Sequence, residues 1–380
     1  MKRSMQSIAL SAVILAITIG SVLAGTVFET FQPNQQVRGF TVENLYLNAR
    51  NEAFGARLRH VATGFTMDLF ELQSVPQAFL WVSTPVLDDR GEPHAGEHLL
   101  LGKGNKARFV SSQENMFLGK STAYTATDHT VYPFSSEGGN DIFYTLFESQ
   151  MDALLYPDFS DEEIRREVCH IGVEADPNTG ALRLDEKGTV YTEMVSVFEK
   201  PWDYLEQAMA TMIYGENHPL CKITGGEPAA MREMQPSHMR EFHNRYYRLD
   251  NIGMITTIPA DMVPETFMAR TDSILNRLAA AGENRPVIGR EKVPPPQSTT
   301  PPGTVKMVTY PGAAGSDPGY ISMGWPATLS YDNTERFLIQ AFLYCLGGSE
   351  TSNLYNKFIN SSTRVVDLGS ASVYAGVDDN

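Results

Sequence analysis

Two histidines and a glutamate lie within a five-residue segment whose spacing suits a metal site. They are His94, Glu97 and His98. On an α-helix, residues four positions apart project from the same face, so both imidazoles can reach one ion. A catalytic zinc ion takes three protein ligands and keeps one position open for water, and a neighbouring carboxylate can accept a proton from that water. The spacing therefore predicts that His94 and His98 bind zinc and that Glu97 is a general base.

The order His-x-x-Glu-His is the inverted form of the His-Glu-x-x-His pattern of zinc peptidases. The pattern favours a zinc-dependent hydrolase, specifically a metallopeptidase that carries out proteolysis. The alternative is that the histidines are ordinary surface or core residues brought to this spacing by coincidence. A third ligand is needed to decide between the two interpretations.

A carboxylate is the usual partner of two histidines at a catalytic zinc ion. Glu186 and Glu193 are seven residues apart, which is about two turns of a helix. If this segment is helical, both side chains lie along one face, so that one can bind the metal while the other orients a ligand. The alternative is a solvated acidic helix face.

The segments around this cluster predict a mixture of helices and strands. Pro93 suits the first turn of the helix that carries the histidines, and Asn140 can cap a helix that runs to Leu155. Ser160 and Glu163 form a capping-box pattern at the start of another helix. Further helices are predicted at 190–198, 202–214, 237–247 and 334–346, and strands at 57–70 (two, around a turn at 63–64), 78–83, 121–133, 168–176, 251–258 and 305–325.

Composition limits the function classes. The chain has 42% hydrophobic and 20% charged residues, as is ordinary for a globular protein, and a net charge of -15. Binding to nucleic acid needs a basic surface, and no run of Lys or Arg occurs. The sequence therefore predicts no nucleic-acid partner.

The first residues have the composition of an export signal. Lys2 and Arg3 precede an almost uncharged run over 8–23, and Val22-Leu23-Ala24 offers small residues at the positions that signal peptidase reads. We expect residues 1–24 to be a signal peptide and the protein to be periplasmic or secreted. The alternative is that an uncleaved signal anchors the protein to a membrane.

A proline-rich segment divides the rest of the chain. Residues 286–304 contain six prolines, five of them in two short runs, a composition typical of a semi-extended linker. We therefore predict a catalytic metallopeptidase domain at 25–285 and a partial second, non-catalytic domain at 305–380.

Four regions together resemble the pitrilysin and insulin-degrading-enzyme family of inverted zinc metallopeptidases, and most closely its presequence-protease branch. The resemblance covers roughly residues 55–375 in order and only the N-terminal half of the family pattern. The matching segments are 91–98, 121–133, 187–194 and 225–228 with 241–247.

The resemblance implies a role for each matching residue. His94, His98 and Glu193 would bind one Zn²⁺ per site, Glu97 would be the general base, and Glu186 would support the site without binding the metal. A substrate peptide would pair with the edge strand formed by Thr122, Ala123, Tyr124 and Thr125. The family strand usually begins Asn-Ala, so Thr122 is a departure at a substrate contact.

The family resemblance also implies an α+β fold of two related units, each a mixed or antiparallel sheet packed with helices, with the second unit incomplete here. Family members enclose substrate in a chamber made of two halves, so a missing C-terminal half or a partner chain is expected to close it. The function implied is a zinc endopeptidase acting on short or unfolded peptides. The alternative is a non-catalytic partner subunit, or a fragment that is inactive without the other half.

Overall fold

The computed structural model describes residues 27–282, 300–310, 319–325 and 331–377. The expected signal peptide at 1–24 lies outside the described residues, as does most of the linker at 286–304. The signal peptide and the domain boundaries therefore stay predictions. Within the described ranges, no helix has both the length and the apolar character needed to cross a membrane.

A nine-stranded sheet forms the centre of residues 36–258, in the order β1-β2-β3-β4-β11-β5-β8-β6, with the short β7 also paired to β8. The pairing of β4 with β11 is parallel, and the other neighbouring strands are antiparallel. The strands of this sheet are β1 (Gln36–Val37), β2 (Phe40–Leu47), β3 (Ala53–His60), β4 (Thr66–Glu71), β5 (Gln77–Ser83), β6 (Gly119–Ser121), β7 (Tyr124–Thr125), β8 (His129–Ser136) and β11 (Ile252–Ile258).

Alternation of side chains explains why the sheet carries the helices on one face. On β5, Ala78, Leu80 and Val82 are completely buried, whereas Phe79 between them is exposed. Successive residues of a strand point to opposite faces, so one face packs into the core and the other meets solvent.

Eleven α-helices occur in the described residues, and those before residue 282 supply the other side of the core. Phe143 and Phe147 of α3 are buried in it together with Leu99 of α1. The helices are α1 (Glu92–Gly102), α2 (Gly104–Met116), α3 (Asn140–Leu155), α4 (Asp161–Val168), α5 (Thr189–Val197), α6 (Pro201–Tyr214), α7 (Pro228–Met231), α8 (Pro236–Tyr246), α9 (Pro264–Ala281), α10 (Asn333–Gly347) and α11 (Asn353–Phe358).

Two further strands form a separate hairpin between α4 and α5. They are β9 (His170–Ala175) and β10 (Leu182–Lys187), which pair antiparallel. The turn is stabilised by Asp176, whose carboxylate accepts hydrogen bonds from the backbone N–H groups of Asn178 and Thr179 at 2.9 and 2.8 Å. The hairpin thus connects α4 to the helix that carries Glu193 without joining the main sheet.

The predicted α+β class, a mixed and mainly antiparallel sheet packed with helices, is confirmed by this architecture. The strand predicted at 305–325 is not found in its described parts, 305–310 and 319–325. A strand needs a partner for its backbone groups, and no described strand lies beside these residues. The side chains of Val305 and Met307 are accordingly 85% and 89% exposed.

Candidate metal centre

Helix α1 carries the predicted His-x-x-Glu-His motif, and glycines fix where it begins. Gly91 precedes it with φ of +80°, a conformation that favours glycine, and Pro93 occupies the first turn. A Cβ atom on Gly91 would lie 2.4 Å from the carbonyl oxygen of Gly225. The start of the helix is therefore packed directly against the backbone of the loop that contains Gly225 and Gly226.

The structure brings His94, His98 and Glu193 together. The Nε2 atom of each histidine lies 3.7 Å from Oε2 of Glu193, and one donor atom from each of the three residues falls within 4.8 Å of the others. The two rings meet nearly edge to face, with centroids 4.8 Å apart. The helical spacing thus predicted the convergence of the histidines, and α5 brings the carboxylate to them.

This donor set fits a zinc ion. Ligand distances of about 2.0–2.1 Å at tetrahedral angles place two donors roughly 3.4 Å apart, close to both histidine–glutamate distances. Two imidazole nitrogens and one carboxylate oxygen are a known set for catalytic zinc, which leaves a fourth position for water. The side chain of Glu193 is 52% exposed, so the site is open to solvent on that side.

Burial and neighbouring charges act differently on the two histidines. Burial, together with the nearby His98, lowers the pKa of His94. The hydrogen bond with Glu167 raises the pKa of His98. Neutral imidazole is the form that binds a metal, so the environment favours this form at His94 and opposes it at His98 until an ion competes with the proton.

Glu167 is a site residue that the sequence analysis missed. Its Oε1 atom lies 3.0 Å from Nδ1 of His98, and its Oε2 lies 2.8 Å from Nζ of Lys103. Burial alone would raise its pKa, but the hydrogen bonds from His98 and Lys103 outweigh this effect and lower the pKa to about 2. The ionised carboxylate fixes the His98 ring so that Nε2 faces Glu193.

Glu186 is not part of the cluster of His94, His98 and Glu193. The expectation that Glu186 and Glu193 share one helix face is wrong, because Glu186 is on strand β10 and helix α5 begins only at Thr189. Its carboxylate pairs with Arg232, at 2.6 Å from Nε, and accepts a hydrogen bond from Tyr191. These two partners lower the pKa of Glu186 to about 2. Besides Glu193, the carboxylate that contacts a histidine of the cluster is that of Glu167.

Glu97 is buried on α1 and faces the predicted substrate strand. Its Oε2 atom accepts a hydrogen bond of 2.5 Å from the hydroxyl of Thr125. Thr125 and Tyr124 form β7, whereas Thr122 and Ala123 lie in the short connection from β6. The backbone N–H of Thr122 donates to the carbonyl of Pro133 at 3.1 Å, so the whole segment runs along β8. Among the described strands, none pairs with its other edge.

Sequence comparisons identify several relatives of part of the chain. No family model matches the chain. It is 31% identical over 186 residues to an uncharacterised protein of Saccharomyces cerevisiae, covering 47% of this chain and 17% of that one. It is 29% identical over 252 residues to the mitochondrial presequence protease of Xenopus laevis, covering 61% of this chain and 23% of that one. The matched region is thus less than a quarter of either relative.

A structural comparison agrees on the fold. The peptidase M16 inactive domain from Pseudomonas fluorescens superposes with a TM-score of 0.54 at 13% identity, covering 80% of this chain and 67% of that one. At this identity the likeness concerns the fold alone. The sequence relatives thus show that the chain is similar to part of the presequence proteases of the pitrilysin and insulin-degrading-enzyme family.

Proposed function

We propose that this protein is a zinc-dependent endopeptidase that hydrolyses short or unfolded peptides. The observation that carries the proposal is that donor atoms of His94, His98 and Glu193 lie within 4.8 Å of one another. Glu97 lies on the helix of the two histidines. The relation to presequence proteases supports a peptidase.

Each residue has a distinct chemical task in this proposal. Zinc, when bound, supplies Lewis-acid activation of a water molecule and of the peptide carbonyl. His94, His98 and Glu193 would hold it through two Nε2 atoms and a carboxylate oxygen. Glu97 would accept the proton of the attacking water and deliver it to the leaving amine.

The substrate is proposed to bind as an added strand along residues 122–125. Main-chain pairing at a sheet edge gives affinity with little dependence on sequence, and it requires an extended peptide. Folded proteins present few such segments, so short or unfolded peptides are the expected substrates.

The test uses the purified chain loaded with zinc and an unstructured peptide library. We expect about one zinc ion per chain and cleavage of internal peptide bonds. Glu97→Gln should abolish turnover while zinc binding is retained, because it removes the proton acceptor and keeps the ligands. Full activity of Glu97→Gln would exclude the assigned role, and loss of zinc binding in that variant would mean that Glu97 is structural.

A non-catalytic partner subunit is the second candidate, and it includes a fragment that is inactive without its other half. Two observations favour it: the structure with the similar fold is described as an inactive domain, and the chain spans only about a fifth of its relatives' length. Against it, no predicted metal ligand is missing. Peptide cleavage should be measured with and without a complementary C-terminal half, supplied as a separate chain. A binding subunit stays inactive in both measurements, a fragment cleaves only with the added half, and a self-sufficient endopeptidase cleaves in both.

The cellular location is proposed from the composition of the first residues. Export, with a periplasmic or secreted product, is the proposal that the composition of residues 1–24 supports. The presequence-protease relatives are named as mitochondrial and lend it no support.

A further inference from the structure

The carboxylate of Glu97 has a single hydrogen-bond donor in the described part of the chain. The Thr125 hydroxyl donates to Oε2 at 2.5 Å, and the Glu97 residue is only 9% exposed. A hydrogen bond to a buried carboxylate is stronger than one between neutral groups. It restricts the rotation of the carboxylate and leaves Oε1 without a protein donor.

Thr125 is itself held firmly. It pairs with Thr130 in the ladder between β7 and β8, and the next residue, Ala126, donates its N–H to the carbonyl of His129 at 2.8 Å. The hydroxyl of Thr130 is bonded in turn to that of Thr84 at 2.9 Å. The donor to Glu97 is therefore fixed by the sheet, which is more rigid than a loop.

The neighbouring side chain points the other way. Tyr124 is 50% exposed and packs edge to face on His129 at 6.1 Å between ring centroids, as strand alternation requires. The two-residue strand thus turns Thr125 toward the helix and keeps its backbone edge open.

We propose that Thr125 is a positioning residue, whose hydroxyl orients the Glu97 carboxylate through Oε2 so that Oε1 receives the proton of the attacking water. The inference rests on the proposed peptidase function. One strand would then hold the substrate backbone by its edge and the base by its side chain, which ties the register of the peptide to the position of the base.

Thr125→Val and Thr125→Ser form the matched pair for the test. Valine keeps the β-branched shape that suits a strand and removes the hydroxyl, so kcat should fall about 10-fold or more, as misplaced catalytic groups do, with KM nearly constant. Serine restores the hydroxyl and should recover most of the lost kcat. Thr122→Val is the control on the same edge, and we expect its effect in KM. A loss in KM alone for Thr125→Val, or no recovery with serine, would overturn the inference.

A second measurement does not depend on activity. The unfolding free energies of Thr125→Val, Glu97→Ala and the double variant form a cycle, and non-additive changes are expected because the two side chains are in contact. Additive changes would overturn the inference whether or not the chain cleaves peptides. If the changes are non-additive but the wild-type chain cleaves no peptide, the proposed peptidase function is contradicted while the contact between Thr125 and Glu97 is supported.

Discussion

His98 lies between two carboxylates, and each faces a different ring nitrogen. Glu167 contacts Nδ1 at 3.0 Å, and Glu193 lies 3.7 Å from Nε2. A carboxylate on one nitrogen fixes the tautomer and ring orientation that a metal needs on the other. Glu167 therefore acts on the candidate site through His98.

Replacing Glu167 with glutamine should weaken zinc binding about 10- to 100-fold. The amide keeps the size of the side chain but loses the charge that holds both His98 and Lys103. A competitive titration with a chromogenic chelator measures this affinity. Glu162→Gln is the matched control, since Glu162 is on the same helix and, within the described ranges, forms an ion pair only with the exposed Arg166. Equal zinc affinities for the two variants would mean that Glu167 does not orient the ligand.

Sequence reasoning reached the three residues of the cluster but not this supporting residue. His94 and His98 follow from helical spacing, and Glu193 followed from the resemblance to a family. Glu167 lies 69 residues from His98, and the contact exists only because α4 packs beside α1. No local pattern encodes that packing, so Glu186, which is nearer to Glu193 in sequence, was the residue predicted instead.

At the scale of the elements, the entry into α1 depends on close backbone contact. Gly91 combines a φ of +80° with a position where a Cβ would lie 2.4 Å from the backbone oxygen of Gly225. Gly180, in the hairpin turn, has a similar φ of +69° and open space around it. Comparing substitutions at the two glycines therefore distinguishes the free-energy cost of the left-handed conformation from that of a steric clash.

Gly180→Ala should lower the free energy of unfolding by about 1 kcal/mol, from the left-handed conformation alone. Gly91→Ala should lower it by at least about 1 kcal/mol more, because the methyl group displaces backbone. Zinc affinity should fall only for Gly91→Ala, since the shift moves His94. Denaturant unfolding with chelator titration measures both effects, and indistinguishable variants would contradict the proposed packing.

Local signals predicted some elements better than others. The helix expected from Asn140 to Leu155 has those bounds, and the capping box at Ser160 is formed. Strand β10 was not predicted, and residues 186–193 were weighed only as a segment that would align the two glutamates if it were helical. Gly188 was the available signal, as it separates an alternating segment with Leu182 and Leu184 from the helix that follows.

At the scale of the molecule, the buried core ends before the proline-rich segment. The apolar residues of the core cluster in the described ranges all lie between Phe28 and Leu278. After the proline-rich segment, Phe337, Leu338 and Phe342 of α10 are each at least 60% exposed. The core of residues 27–282 therefore does not depend on residues 300–377.

A chain ending at residue 285 should unfold cooperatively, with a midpoint within a few degrees of that of the longer chain. Hydrogen exchange should be unchanged in α3 and faster in α6, whose Trp202 packs against Tyr320 at 6.1 Å between ring centroids. Calorimetry and exchange mass spectrometry measure these effects. Loss of the cooperative transition would show that the predicted domain boundary is misplaced.

The hairpin of β9 and β10 has its two ends in contact. A Cβ on Gly188 would lie 2.3 Å from the carbonyl oxygen of Val168, so the chain leaves α4 and re-enters at α5 from nearly the same point. Lengthening or shortening this ribbon during evolution would leave Glu167 and Glu193 where they are. The interval between the histidine motif and the third carboxylate can therefore drift among relatives, and searches that fix this interval will overlook proteins with the same centre.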